Sequence, residues 1–257
     1  MNILMTNDDG IFSDGLQKLA KTLRSSGRHK VSIIAPDSDR SGISHALSLL
    51  TGPLKLSLLD EDTWSCSGFP AECVMVGLKG LLSERPDLIL SGINKGVNLG
   101  TDIVYSGTAA AARQGSFAGI PSIALSLEGT ENLHWDMACS WIVDHFDELL
   151  SYWVEHSFVN VNIPNSPGGP KGIIATWPAV KFYNDSFSVM TNHDGSRFFF
   201  LDAGDETVVD EPGSDIDVLS RNFVSVSPVY NYPVVVRDLC PGVPDHAAVS
   251  KRALKRN

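Results

Sequence analysis

Asp8 and Asp9 stand side by side, two residues beyond the short apolar run Ile3-Leu-Met5 and immediately before Gly10. Adjacent like charges repel, and a hard divalent cation held by oxygen ligands is the counter-charge such a pair calls for. Asn7 and Gly10 serve a tight turn equally well, since both residue types tolerate positive φ, so the opening decapeptide leaves the two readings level. Three later sets of residues tip the balance. The Ser41 hydroxyl and the Asn94 amide oxygen are hard oxygen donors like the two carboxylates, and no His or Cys stands among them. Such a set suits Mg²⁺, Mn²⁺ or Ca²⁺ better than zinc. Ser106-Gly107-Thr108 opens an Ala-rich stretch, where unpaired N–H groups, two hydroxyls and the positive end of a helix dipole form an anion cradle.

A cation site facing an anion cradle is equipment for phosphoryl transfer. With no Lys-bearing Walker loop and no dinucleotide fingerprint, the reaction that fits is hydrolysis of a phosphate monoester. Each residue also has a plainer role. Ser106 is a good N-cap, Asn94 and Asn98 can close Asx turns among Gly92, Gly96 and Gly100, and Ser41-Gly42 says little alone. Arg40 is expected to be solvated, and His45 is the only one of seven histidines close to these loops.

The elements that must position these groups follow from periodicity. Ile3 to Met5, Val31 to Ala35, Asp87 to Leu90, Ile120 to Ser126 and Phe158 to Ile163 read as strands. Leu16, Leu19, Ala20 and Leu23 repeat at helical spacing, with Ser13 or Asp14 to start the helix and Gly27 to end it. Ala71 to Leu82 after Pro70, Thr108 to Phe117 and one long segment from Trp135 to Val154 complete the helices. Ser48 to Leu59 and Thr63 to Ser67 read as short antiparallel pieces with a turn at Thr51-Gly52-Pro53. Alternating β and α over residues 1–165 give an α/β protein, a doubly wound and mostly parallel sheet. The loops carrying Asp8, Ser41, Asn94 and Ser106 then share one sheet edge.

Residues 166–257 form a second region, expected to be a β-rich extension and C-terminal arm used in oligomerisation. Gly172 to Trp177, Phe187 to Thr191 and Arg197 to Asp202 are its strands, with a hairpin turn at Asn192-His-Asp-Gly195. Ser214 to Leu219 reads as a short helix, and the residues near 223–227 as a strand returning to the core.

The 257 residues are 43% apolar and 19% charged, ordinary globular composition. A net charge of −10 disfavours nucleic-acid duplexes and anionic lipid as partners, so an anionic substrate needs local attraction. Cys66, Cys73, Cys139 and Cys240 show neither zinc spacing nor disulfide density, and no stretch approaches the roughly 18 apolar residues of a membrane span. A soluble, cytoplasmic protein is expected, with the basic tail Lys251 to Arg256 as a solvated terminus.

Five motifs occur in order: Asn7-Asp-Asp-Gly10, Ala35-Pro-Asp-x-x-Arg-Ser-Gly42, Gly68-x-Pro-Ala-x-Cys-Val74, Pro86-Asp-Leu-x-x-Ser-Gly-Ile-Asn94-x-Gly-x-Asn-Leu-Gly100 and Tyr105-Ser-Gly-Thr108. In this the chain resembles the SurE (survival protein E) family of 5′/3′-nucleotidases. The resemblance is weaker later, at Asn160-Val-Asn-Ile-Pro164, Tyr183-Asn-Asp185 and Phe223 to Pro228. It implies a Rossmann-like core with a β-rich arm exchanged in a homodimer or homotetramer. It also implies a metal-dependent phosphatase acting on nucleoside monophosphates or other small phosphate monoesters. One divalent cation per subunit, Mg²⁺ or Mn²⁺, is expected at Asp8, Asp9, Ser41 and Asn94.

Gly42, Asn98, Ser106, Gly107 and Thr108 are the expected substrate contacts, with Asp8, Asp9 and Asn98 as the catalytic set. Phe69 and Glu72 depart from the Thr and Asp usual in the third motif, and Leu239 to Pro244 departs from the family's usual end. Two rivals stand beside this reading. In one, Asp8 is a covalent nucleophile forming a phosphoaspartate, although Gly10 fills the place that a D-x-D motif gives its second carboxylate. In the other, the chain is a non-catalytic nucleotide- or metal-binding regulatory protein.

Overall fold

A computed structural model describes residues 1–209 and 211–233. Cys240, the Leu239 to Pro244 segment and the basic tail lie outside the described residues. In chain order the elements are β1 (Asn2–Thr6), α1 (Asp14–Ser25), β2 (Lys30–Pro36), β3 (Leu56–Asp60), β4 (Thr63–Cys66), α2 (Pro70–Val76) and β5 (Leu88–Lys95). Then follow α3 (Gly107–Phe117), β6 (Ser122–Leu127), α4 (Trp135–Asp144), α5 (Phe146–Ser151), β7 (Ser157–Ile163) and β8 (Ile173–Ala175). The series closes with β9 (Val180–Tyr183), β10 (Ser186–Thr191), β11 (Arg197–Asp202), β12 (Glu206–Val209), α6 (Asp215–Ser220) and β13 (Val224–Tyr230).

One nine-stranded sheet runs β3-β4-β2-β1-β5-β6-β7-β13-β8. From β4 to β7 every pairing is parallel, and β3 and β13 join antiparallel to β4 and β7. The fold is therefore the mostly parallel α/β sheet the alternation predicts. Period-2 geometry divides its residues between two helix layers. Ile3, Met5, Ile33, Ala35, Leu88 and Leu90 pack with α1 and α4 through Leu16, Leu19, Leu23 and Ile142. Leu4, Ile34 and Ile89 face the opposite layer, where α2 and α3 supply Cys73, Val74 and Ala111. Burying one such Leu or Ile stabilises the fold by roughly 1.5–3 kcal/mol, so both layers hold the sheet firmly.

Strand order reverses at β1: the chain builds β2 and β4 on one side of it and β5, β6 and β7 on the other. The crevice beyond the carboxyl ends of β1 and β5 is therefore the topological switch point, where doubly wound folds bind ligands.

Several local expectations need correction. Residues 48–55 are not a strand. The buried Glu72 carboxylate takes the Ser48 and Leu49 amides at 2.5 and 2.7 Å, which removes them from any ladder. The Trp135 to Val154 helix breaks at His145, whose ring stacks on Trp141 at 4.2 Å and places Nδ1 2.9 Å from the Trp141 carbonyl. The Ala71 to Leu82 helix is α only to Val76, then widens into a π turn over Gly77–Leu81. β5 runs on to Lys95, and its register against β6 shifts between Ser91 and Asn94. Gly92, at φ +127°, permits the bulge, because a Cβ there would meet the Leu125 carbonyl at 2.3 Å. Two strands of the second region, β9 and β12, were not foreseen; they pair with each other as a separate ribbon.

Candidate active site

The Asp8-Asp9 turn is fixed by its flanking residues, so turn and acidic site prove to be one structure. Asn7 donates through Nδ2 to the Gly10 carbonyl at 3.0 Å and to Ser13 Oγ at 2.6 Å. Of the two residues expected to supply positive φ only Gly10 does, at +98°; Asn7 acts through its side chain instead. A Cβ at Gly10 would lie 3.1 Å from the Ser38 carbonyl carbon, so the first two loops meet there. The Arg40 amide completes the junction by donating to the Asp8 carbonyl at 2.7 Å.

Asp8, Ser41, Gly42, Asn94, Asn98 and Ser106 line one open cavity of about 310 Å³ at the switch point. Gly107 and Thr108 sit directly behind it. A Cβ at Gly107 would meet Asp8 Cβ at 2.8 Å, and the Thr108 hydroxyl donates to Asp8 Oδ1. Thus Asp8 rests on the N-terminus of α3, where a negative charge is favoured. Ser106 is the N-cap, its Oγ accepting from the Ala109 amide at 3.0 Å, and the Gly107 N–H has no partner among the described residues. Asp9 lies on the other side of the turn. It faces an adjoining cleft of about 570 Å³, and Lys95 lines both spaces.

Donor chemistry fits a divalent cation. Asn94 spends Nδ2 on the Gly96 carbonyl at 2.9 Å and leaves Oδ1 without a partner among the described residues. Ser41 donates Oγ–H to Asp39 at 2.7 Å, which leaves its lone pairs outward. Among the described residues no three His, Cys, Asp or Glu side chains converge on a metal-sized site, so a cation here relies on Ser and Asn oxygens beside carboxylates. Burial pushes the Asp8 carboxyl above its ordinary value, opposed by the Thr108 hydroxyl and amide. Asp9 rises to about 6, through burial first and then repulsion from Asp8 and Asp39, against hydrogen bonding from the Lys95 amide at 3.1 Å. A buried and a half-buried carboxylate, both pushed toward the neutral form, are a pair that a nearby positive charge would relieve.

Between the ordinary value of 3.8 and about 6, folded protein holds an Asp9 proton that the unfolded chain has released. Above that window, ionised Asp9 destabilises the metal-free fold. Asp9→Asn, which cannot titrate, should gain melting temperature on wild type as pH rises from 4 to about 6 in chelator, and added divalent cation should close the gap. A gap that is flat with pH would remove the raised Asp9 carboxyl from the account.

Asn98 is pinned by β7. Its amide donates to Asn162 Oδ1 at 2.8 Å, and its carbonyl accepts from Asn160 and Asn162 at 2.8 and 3.1 Å. Nδ2 donates one proton to Ser126 Oγ at 2.9 Å and keeps a second. Asn160 and Asn162 were missed as site-builders although the strand Val-Asn-Val-Asn-Ile signals them: a strand buried on both faces needs partners for alternate amides. Arg40 turns away, to Asp37 at 3.1 Å and over the Phe69 ring, and His45 is tied to Gln114 at 3.0 Å, outside the cavity lining. Glu72 is structural, capping Phe69 and holding residues 48 and 49.

Fold and site define a doubly wound α/β protein with an acidic oxygen-donor cluster beside the N-terminus of α3 at its switch point. Residues 3–185 match the family profile of survival protein SurE, and the chain belongs to that family. It is 38% identical over 238 residues to the 5′-nucleotidase SurE of Thermosipho africanus, covering 89% of this chain and 91% of that one. It is equally 38% identical over 242 residues to the 5′-nucleotidase SurE of Synechococcus elongatus, covering 89% and 93%. The crystal structure of the SurE protein from Aquifex aeolicus superposes with a TM-score of 0.81 at 35% identity, over 95% of this chain and 98% of that one.

Proposed function

We propose that this protein is a divalent-metal-dependent phosphatase that hydrolyses nucleoside 5′-monophosphates to nucleoside and phosphate, with nucleoside 3′-monophosphates as candidate further substrates. The observation that carries the reading is the apposition of Asp8 to the α3 N-terminus in one cavity, an anionic cation-binding group facing an anion-binding one. The names of the relatives support the nucleotide as substrate.

Asp8, Asp9, Ser41 and Asn94 would hold the cation, Mg²⁺ or Mn²⁺. When bound, such an ion supplies Lewis-acid neutralisation of charge on a phosphoryl oxygen. The chain's own groups do the rest. The Gly107 amide and Ser106 hydroxyl donate to phosphate oxygens beside Gly42, and Asn98 offers its second Nδ2 proton. Asp9, the less buried carboxylate, sits where the adjoining cleft meets the cavity at Lys95; there it orients a water and takes its proton as the water attacks phosphorus in line with the departing nucleoside oxygen, which leaves as the hydroxyl with a proton from solvent. Asp8, held by Thr108 and packed on Gly107, is spent on position, which favours water over Asp8 as nucleophile.

The β-rich second region supports a homodimer or homotetramer. Every residue of the β10–β11 hairpin is exposed, including Phe187, Met190, Phe198, Phe199 and Leu201. An isolated two-stranded hairpin with such apolar faces is unstable in water and calls for a second chain. We take residues 1–165 as the catalytic core and 166–257 as the oligomerisation region, with β13 returning to the core sheet and β8 lying beyond it at the edge. Cys66, Cys73 and Cys139 are buried and free, which suits an enzyme of the reducing cytoplasm, and no described helix is long and apolar enough to cross a membrane.

Phosphate release by metal-stripped protein, with Mg²⁺, Mn²⁺ or Ca²⁺ added back, measured across 5′- and 3′-nucleoside monophosphates, tests the proposal. Cation-dependent release is expected. Binding of nucleotide with no release under any cation would leave the non-catalytic reading, and a trapped acyl phosphate on Asp8 would establish the covalent one.

A further inference from the structure

Two tyrosines in the wall of the cavity have no part in the phosphate chemistry above. Tyr105 and Tyr183 line the same space as Asp8, Asn94, Asn98 and Ser106, and they are 55% and 39% exposed. Ring surface left open beside a binding cavity is apolar area available to a planar ligand.

Both residues are also held in place. Tyr105 directly precedes the helix cap Ser106. Its carbonyl accepts from the Ser44 amide at 2.9 Å, while Ser44 Oγ donates to the Val104 carbonyl at 2.7 Å, which ties this turn to the second loop. Tyr183 ends β9, and its hydroxyl donates to Asp102. Lys181 Nζ pairs with Asp102 at 2.8 Å and Glu206 at 2.9 Å and lies 5.6 Å from the Tyr183 ring centroid. Burial opposes charge on Lys181, but its hydrogen bonds to Asp102 and Glu206 prevail and hold it protonated. Asp102 belongs to the 3₁₀ turn Gly100–Val104 that leads into Tyr105, so both rings spring from one cross-braced unit.

We infer that Tyr105 and Tyr183 form the nucleobase subsite, stacking on the base of a nucleotide whose phosphate lies in the Ser106-Gly107 cradle. The inference rests on the nucleotidase reading and deepens it. A phosphate seated one residue beyond Tyr105 leaves its ester group beside these rings. Aromatic stacking accepts any base, because every base has a π face. Asp102 is occupied by Lys181 and Tyr183 and does not read base edges. Selection is therefore by stacking area, with purines favoured over pyrimidines and no sharp discrimination within either class.

The test compares AMP with ribose 5-phosphate, the same phosphate ester without a base, in Tyr105→Ala, Tyr105→Phe, Tyr183→Ala and Tyr183→Phe. In each alanine variant the ratio of kcat/KM for AMP to that for ribose 5-phosphate should fall about 5- to 100-fold, through KM rather than kcat. Tyr105→Phe, which keeps the ring, should restore the ratio. Should Tyr183→Ala unfold, the Tyr105 pair decides alone, since that side chain is largely exposed. Equal losses on both substrates, or an unchanged ratio, overturn the inference. Calorimetric binding of AMP and ribose 5-phosphate in chelator separates the two readings. If wild type hydrolyses neither ester yet binds AMP more tightly, and Tyr105→Ala abolishes that preference, the phosphatase reading falls and the subsite stands.

Discussion

Asp8→Asn should lower metal-dependent phosphate release from a nucleoside monophosphate by at least about 10³-fold while leaving the fold intact, because it removes a charged cation ligand and keeps its shape. The substituted amide can place its oxygen where Asp8 Oδ1 accepts from Thr108, and nothing larger is packed against Gly107. Metal-free stability should hold or rise, since the change deletes a buried charge whose ionisation the site disfavours, beside another at Asp9. At roughly 2–4 °C per kcal/mol for a chain of this size, even a small gain is readable in a melt. The distinguishing signature is a pair of results: an unchanged or higher melting temperature in chelator, and loss of the rise that a divalent cation gives wild type. Near-normal turnover in Asp8→Asn would sink the assignment, and a collapsed fold would show that the carboxylate's role is structural.

Legibility differed between the two regions for physical reasons. In the core, residues such as Ile33-Ile34 and Leu88-Ile-Leu90 are buried on both faces, so each strand is a continuous apolar run that periodicity finds. Asp8, Ser41, Asn94 and Ser106 stood out because polar oxygen donors follow such runs abruptly. What periodicity did not show was that β5 carries on through its own polar residues. Ser91 and Asn94 pair with β6 across a bulge, and only the Gly92 backbone permits it. β9 and β12 escaped notice because three of the four residues of each are exposed, and Lys181 ties them together through Glu206 and to the core through Asp102, a partner distant in sequence. Nothing in a local window couples Lys181 to Asp102. The same blindness hid Asp215, an ordinary-looking acid in the first turn of a short helix.

Asp215→Ala should be among the most damaging single changes outside the carboxylate pair. Asp215 is fully buried, and its carboxylate accepts from the Gly100 amide at 2.7 Å and the Ala179 amide at 2.9 Å, joining at their buried end two segments that Thr101, Asp102, Lys181 and Tyr183 join further out. Gly100 is the point of closest approach: at φ +55° a Cβ there would lie 2.4 Å from the Ala179 carbonyl oxygen, so no bulkier residue could substitute for the clamp. Removing the carboxylate strands both amides in the interior, at about 1–3 kcal/mol each. Burial raises the Asp215 carboxyl, so the charge carries a desolvation cost that its removal recovers. The net loss should fall near the lower half of that range summed, roughly 2–4 kcal/mol, or about 5–15 °C in melting temperature. Asp215→Asn is not a rescue, because its amide would turn a donor toward one of two donors. The loss should reach the site as well: freeing Gly100 loosens the turn that carries Asp102 and Tyr105 toward Ser106, so KM for a nucleotide should rise in whatever fraction remains folded. A variant within about 1 kcal/mol of wild type, with unaltered KM, would mean that the two amides find water and that the remaining contacts of Thr101 and Asp102 with Lys181 and Tyr183 hold the turn in place.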